Sequence, residues 1–404
     1  MGDGFRQHGL QSRQITFMAP FGLRQKTTVW ARILPLARRL HQYGYRVTIL
    51  IPPWDSPADA GQSWNDEGVR VVNVRLEGGL PLVLWRLWRH MQQEQPQLVH
   101  IVKPRAHAGL IQWLLWQRRR WTGAGPPIVL DVDDWEQAWA DINQYAWPVA
   151  RFLAWQEEWG IRHADAITAA SKWLVDRAAH YAPQSPRLYL PNGVSEPDLS
   201  GFRKPDRSWR DAHTNTVLYY TRFVEIEPAW LADFWRTLQQ QLEAVTLEVA
   251  GNALVAGRES AFKPAVDAET LPGNQVNWRG FVDQETQAQL YAAADCAIFP
   301  AQPAPLQEAK CSVRLATTLL HGVPVVASAV GQQAAFGADG AAQLVDAGAT
   351  PADFAAAVTH LLAQPDKQTH MVERARQRLL TEFSWDDLGD RLAAFYATLL
   401  KKDG

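Results

Sequence analysis

Cysteine is scarce in this chain, long apolar runs are missing, and neither sign of charge predominates. The two cysteines among 404 residues, Cys296 and Cys311, stand in no CxxC pair and build no disulfide framework, which fits a reducing compartment. No segment reaches about 18 uninterrupted apolar residues, the length a membrane-spanning helix needs. The opening MGDGFRQHGLQSRQ also lacks the apolar run of a signal peptide. A cytoplasmic location is expected, with the inner face of the membrane as its variant. Lysine and arginine number 40 against 42 aspartate and glutamate, so no basic excess invites a nucleic acid. Any anion site has to be local. There is no short-period repeat and no low-complexity tract.

Tryptophan, by contrast, is abundant, with 19 copies. Several lie in amphipathic stretches, LPLVLWRLWRHMQQ from Leu80 and LIQWLLWQRRRW from Leu110. Helical spacing packs Trp85 and Trp88 against a sheet and turns Arg86 and Arg89 to water, with Arg118, Arg119 and Arg120 as a solvated helix end. Contact with a bilayer surface is the competing reading.

A chain of this length exceeds what one hydrophobic core organises, so two domains are expected. Buried strand-like runs alternate with helical patterns through the first half: ITFMAPF, a helix from Thr28 to Tyr43, YRVTILIPP, VRVVNVRL, QLVHIVKP, PIVLDVDD, ADAITAAS and RLYLPNGV. That rhythm predicts a parallel sheet covered on both faces. The polar, aperiodic stretch SEPDLSGFRKPDRSWRDAHTN reads as a linker. A second series follows in TVLYYTRF, VTLEVAG, VNWRGF, CAIFPA, VPVVASAV and AAQLVD, and the closing FSWDDLGDRLAAFYATLLKK is helical in period. The expected division is 1–205, 206–385 and a final helix over 386–404. Ligands of open parallel sheets bind beyond the carboxyl ends of the strands, where helix N-termini favour anions.

One stretch raises the question of that anion. KCSVRLATTLLHGVPVVASAVG begins with Lys310 and Arg314, spaced to share a helix face, where like charges cost about 0.2 to 0.5 kcal/mol unless something negative lies between them. The run Asp131 to Glu136, DVDDWE, raises a second one, because Asp-x-Asp carboxylates suit a divalent metal. A cluster that caps nearby helices fits the same residues.

In order and spacing, PFGLRQKTT, PNGV, YYTRF, VAGN, RGFV, ADCAIFP, GVPVVAS and the closing FSW helix resemble glycosyltransferase family 4, the group 1 enzymes of the GT-B fold. The resemblance covers most of the chain. It implies an α/β fold of two Rossmann-like domains facing across a cleft, with the last helix returning to the first domain. It also implies retaining, metal-independent transfer of a hexosyl group from a nucleotide-diphosphate sugar to an acceptor hydroxyl, in polysaccharide or glycolipid assembly. The partners would be a nucleotide sugar and a saccharide or lipid-linked acceptor, with no separate cofactor. Arg222 of YYTRF, Lys310 and Arg314 would face the donor diphosphate. Gly22 and Lys26 belong to the loop that meets the diphosphate, and Thr27 or Thr28 would cap the helix after it. Gly251, Gly280 and Gly331 would let main chain approach the donor, with the base near Gly280, Phe281 and Val282. Asp133 and Asp134 fall where the family carries a His, often followed by Asp, beside the reacting sugar. His100, Lys103 and His107 would line the acceptor side.

This chain departs from the family pattern in three places. Glu227 stands where a Lys is common, Thr317 and Ala309 stand where paired glutamates are common, and Asp133 replaces the His. Lys310 or Arg314 would then supply the missing cation, Glu308 would reach sugar hydroxyls, and the Thr317 hydroxyl would meet the ribose only singly. A non-catalytic relative that binds a sugar nucleotide or a partner enzyme is the alternative.

Overall fold

In the computed structural model the described residues are 13–23, 28–197 and 214–401. Lys26, Thr27 and most of the expected linker lie outside them. The chain divides into two compact units, one of residues 1–191 with 385–404 and one of residues 192–384.

Uninterrupted apolar runs form the strands of the first unit, and helices fill the intervals. The order is β1 (Gln14–Met18), α1 (Leu34–Gln42), β2 (Arg46–Ile51), β3 (Ser63–Asp66), β4 (Val69–Asn73), α2 (Gly79–Glu94), β5 (Leu98–Val102), α3 (Ala106–Thr122), β6 (Ile128–Val132), α4 (Ala138–Ile142), α5 (Trp147–Arg162), β7 (Ala166–Ala169), α6 (Lys172–Tyr181) and β8 (Arg187–Tyr189). They make one sheet in the order β3-β4-β2-β1-β5-β6-β7-β8. Every pairing is parallel except β3 with β4. The short SWND of β3 has no apolar run, so this antiparallel edge carries no strand-like pattern. From β1 the chain moves one way to β2, and from β4 onward it moves the other way. Right-handed crossovers therefore place α1 on one face of the sheet and α2, α3, α5 and α6 on the opposite face.

The expected single helix from Thr28 to Tyr43 is in two parts. A π-helical turn over Val29–Ile33 precedes α1, and Thr28 makes no side-chain cap. Arg32 of that wider turn points inward. Its Nε and Nη2 donate to the two carboxylate oxygens of Asp131 at 2.9 and 2.7 Å, and Nη2 also donates to the Leu190 carbonyl at 2.8 Å. The Thr168 hydroxyl adds a bond to Asp131 at 2.6 Å. Asp131 therefore serves as the buried partner of Arg32. Burial opposes its charge, but Arg32 holds its carboxyl below the usual range.

The second unit repeats the rhythm with β9 (Thr214–Tyr220), α7 (Pro228–Gln241), β10 (Ala244–Ala250), α8 (Glu259–Asp267), β11 (Gln275–Gly280), α9 (Gln284–Ala293), β12 (Cys296–Phe299), α10 (Pro305–Ala309), α11 (Arg314–Leu320), β13 (Val325–Ser328), α12 (Gly331–Gly337), β14 (Gln343–Val345), α13 (Pro351–Leu362) and α14 (Pro365–Glu382). Its sheet runs β11-β10-β9-β12-β13-β14, parallel throughout. The last helix, α15 (Trp385–Leu400), packs on α1 of the first unit. Leu388, Leu392, Tyr396 and Leu399 enter that unit's core at helical spacing. Gly389 permits the approach, since a Cβ there would lie 2.3 Å from Arg39 Cγ. Among the described residues no helix is long and apolar enough to cross a membrane.

The buried pair gives a stability test. Replacing Arg32 by Met removes the charged partner of the buried Asp131, which should cost about 3 to 5 kcal/mol, and urea unfolding would measure it. Because the carboxyl is depressed in the folded protein, its contribution is present above pH ~4 and is lost as the pH falls further. A variant as stable as the parent at pH 7 would contradict the pairing.

Candidate active site

Beyond the end of β9 the chain turns sharply through Thr221, Arg222, Phe223, Val224 and Glu225. Glu225 organises this turn. Its Oε2 accepts from the Thr221 hydroxyl at 3.0 Å, the Arg222 amide at 3.2 Å and the Val224 amide at 3.1 Å. Its Oε1 takes the Arg314 guanidinium at 2.6 Å and the Lys310 ammonium at 3.4 Å. Burial alone would raise the Glu225 carboxyl, yet Arg314, Lys310 and the amide bonds push it well below the usual carboxylate range.

The anion between Lys310 and Arg314 is therefore a carboxylate of the chain itself. The two cations also do not share a helix face: α10 ends at Ala309, Lys310 is extended, and α11 begins at Arg314. They meet through Glu225 rather than through helical period. Arg314 Nη1 further donates to the Tyr220 carbonyl at 2.9 Å, and its guanidinium lies over the Tyr220 ring. Arg222 joins the group. Burial and then the nearby Arg314 charge lower its pKa, and its buried Nε has no hydrogen-bond partner among the described residues. Two cationic side chains thus bind one carboxylate at this end of the sheet, with the Arg222 charge close to Arg314.

Gly251 and Gly331 are required here by close backbone approach. A Cβ on Gly251 would sit 1.9 Å from the Thr221 carbonyl oxygen, and φ is +123°. One on Gly331 would sit 2.6 Å from the Gln307 carbonyl oxygen, with φ +51°. Glu308 accepts from the Gly331 amide at 2.9 Å, so one of its oxygens caps α12. Glu227 pairs with Arg258 at 2.6 Å. Thr317 lies in α11, half-buried. Gly280 ends β11 with open space where a Cβ would be, Phe281 beside it is 75% exposed, and Val282 lines a shallow pit with Tyr220, Ala250 and Tyr291.

In the first unit Asp133 and Glu136 of DVDDWE are engaged by cations. Lys103, buried and in the left-handed region at φ +61°, bridges Asp133 at 2.9 Å and Glu136 at 3.0 Å. Arg105 takes the other Glu136 oxygen at 2.6 Å and donates to the Tyr145 hydroxyl at 2.6 Å. Burial opposes the Lys103 charge, but Asp133 and Glu136 outweigh it and raise its pKa. Burial pushes the Asp133 carboxyl up to about 6 despite Lys103, with Asp131 adding to the rise. Asp134 bonds the Trp135 amide at 3.0 Å. Among the described residues no three acid, His or Cys side chains are arranged to hold a metal ion.

His100 is not on an open surface. It is wholly buried in β5, stacked on Phe17 and hydrogen-bonded to the Tyr396 hydroxyl, and burial drives its pKa down to about 4. Its position serves the core. His107 is half-buried in the first turn of α3, its pKa lowered by burial and its Nδ1 unpartnered among the described residues. The Gly22 amide donates to Asp55 at 2.5 Å.

Two family descriptions match the sequence, a glycosyl transferase 4-like domain over residues 27–193 and glycosyl transferases group 1 over residues 214–364. Together they take in more than three quarters of the chain. The chain belongs to the group 1 glycosyltransferases. Its reaction class is transfer of a glycosyl group from a nucleotide sugar, and its architecture matches GT-B structures. A sucrose-phosphate synthase from Thermosynechococcus elongatus is 18% identical, covers 96% of this chain and 100% of its own, and superposes with a TM-score of 0.70. HepE of Anabaena, in complex with UDP-glucose, is 15% identical over 95% and 99% of the two chains, with a TM-score of 0.64. WaaG, a glycosyltransferase involved in lipopolysaccharide biosynthesis, is 14% identical over 94% and 99%, with a TM-score of 0.60. No curated protein sequence matches it.

In this glycosyltransferase Glu225, the hub for Lys310 and Arg314, stands in no motif singled out in the sequence. The signal was a glutamate three places after the arginine of YYTRF, and only the fold shows that α11 returns to it. Changing Glu225 to Gln should cost about 3 kcal/mol of stability, since two cations lose their buried partner. Unfolding measured by circular dichroism would show it, and an unchanged midpoint would mean that the turn stands without the carboxylate.

Proposed function

We propose that this glycosyltransferase moves a hexosyl group, with retention of configuration, from a nucleoside-diphosphate donor to a hydroxyl of a saccharide or lipid-linked acceptor. The observation that carries the reading is the convergence of Arg222, Lys310 and Arg314 on a turn where Glu225 offsets only part of their charge. A leaving diphosphate develops negative charge as the glycosidic bond breaks, and preorganised cations stabilise it more than they stabilise the ground state. Glu225 keeps Arg314 and Lys310 from collapsing onto other acceptors before the donor arrives. The exposed Phe281 ring, beside open space at Gly280, offers a face for the base. Glu308 and Thr317 are left for the sugar and ribose hydroxyls, with Gly22 and Lys26 on the diphosphate loop.

Asp133 and Asp134 take the acceptor side with Lys103 and His107. A carboxylate at Asp133 orients the acceptor hydroxyl, while the leaving phosphate takes its proton. HepE holds UDP-glucose, so uridine donors are the first to try. A binding-only relative is the second reading, favoured by Glu227 and Thr317 at positions where the family carries Lys and Glu.

Incubation with a panel of nucleotide sugars, read by nucleotide release, separates the two. One donor should respond, and activity should persist in EDTA. Arg314→Ala should lower kcat/KM by about 100-fold. Donor binding without release for every sugar and acceptor would favour the binding-only relative, and unchanged kcat/KM in the variant would remove the cation cluster from the chemistry.

The raised Asp133 carboxyl sets a pH dependence. If its ionised form positions the acceptor, kcat/KM rises with pH through about 6 and levels above it. Asp133→Asn should abolish that inflection. A wild-type profile flat between pH 5 and pH 7 would contradict the role.

A further inference from the structure

The helices α2, α3 and α5 share one face of the first sheet, and their outer surface carries several exposed aromatic rings. The expectation that Trp85 packs inward is overturned: Val83, Leu87 and Met91 take the buried positions of α2, while Trp85 is 52% exposed with Arg89 stacked over it. At the end of α3, Trp121 is 80% exposed. On α5, Trp147 is 72% exposed, and Phe152 and Trp155 lie open beside it. Phe152, Trp155 and Trp159 form a ladder with ring centroids 5.8 and 6.0 Å apart, and Trp116 of α3 meets Trp159 edge-on at 5.7 Å. The ladder joins α5 to α3 in one aromatic surface.

The charge on this layer is one-sided. Arg86, Arg89, Arg118, Arg119, Arg120, Arg151 and Arg162 stand on the three helices, which contain no Lys or Asp and only the glutamates Glu94, Glu157 and Glu158. Glu157 is buried, and Glu94 is tied to Arg70 and Thr48. Arg119 pairs with Asp165. The whole chain nevertheless carries a net charge of −2. Arginine guanidinium groups lie over tryptophan faces in four places, Arg89 on Trp85, Arg118 on Trp88, Arg120 on Trp116 and Arg151 on Trp147. Large exposed apolar patches mark interaction surfaces. Exposed rings beside arginines match the interfacial layer of a bilayer, where amphipathic rings settle at headgroup depth and arginines meet lipid phosphates.

We propose that the α2–α3–α5 face is a docking surface for an anionic lipid bilayer. Aromatic side chains enter the interface and arginines hold the headgroup phosphates. The inference stands on this surface alone and is independent of the donor chemistry.

The test is sedimentation of the full chain with vesicles of phosphatidylcholine plus phosphatidylglycerol, against vesicles of phosphatidylcholine alone. Binding should favour the anionic vesicles, weaken with salt, and shift tryptophan fluorescence to the blue. The triple change W147S/F152S/W155S should reduce binding to anionic vesicles at least about tenfold, as expected when three interfacial rings are removed. R118Q/R120Q/R151Q should remove the anionic preference. Circular dichroism and donor binding, unchanged in both variants, show that the fold is intact. Background binding to anionic vesicles would overturn the proposal, as would equal binding by the variants. It would equally be overturned by a wild-type dimer that the aromatic change dissolves while vesicle binding persists.

Discussion

The Glu225 carboxylate is the constraint on which the second unit's functional end depends. Two oxygens receive two side-chain cations, two backbone amides and a hydroxyl, so the turn after β9 and the start of α11 cannot move independently. On the proposed reading, placing a single anion among three cations answers a problem that any diphosphate site has. Unpartnered cations repel one another and would spread apart in the free protein, whereas a fully neutralised set would give nothing to a ligand. One carboxylate holds the arrangement while leaving positive charge in excess.

The first unit uses the same device for a different purpose. Arg32 and Asp131 are paired inside the sheet's covering layer, and Lys103 and Arg105 tie Glu136 and Asp133 beside the end of β6. Asp131 stays charged because its partner is bidentate. Asp133, buried and next to another acid, is instead held near the point of protonation. Neighbouring carboxylates on one short segment thereby acquire different chemistry from their surroundings.

Most of the architecture was legible in the sequence because buried parallel strands are continuous apolar runs, and ITFM, VTILI, IVLDV and VVAS each became one. The edge strand Ser63–Asp66 was not, since it is short and mostly polar and its only strand partner is β4. The π-helical turn at Val29–Ile33 also left no trace in a helical period. Arg222 and Arg314 were singled out by resemblance, whereas the carboxylate that Arg314 pairs with was not. Ion-pair partners more than eighty residues apart are set by topology, as Arg314 with Glu225 and Arg32 with Asp131 both show. His100 illustrates the converse error: a histidine at a strand end looked functional, while its packing against Phe17 and Tyr396 from the last helix makes it core. Trp85 failed for a related reason, because helical spacing gives a stripe but not which side of it the sheet occupies.

The central claim is that the Arg222, Lys310 and Arg314 group recognises a diphosphate. The most direct measurement is calorimetric binding of a nucleoside diphosphate and the matching monophosphate to the wild-type chain at two salt concentrations. The account predicts that the diphosphate binds at least about tenfold more tightly, as one further charge-assisted hydrogen bond would give, with the difference shrinking in high salt. Equal affinities for the two nucleotides, unaffected by salt, would contradict it.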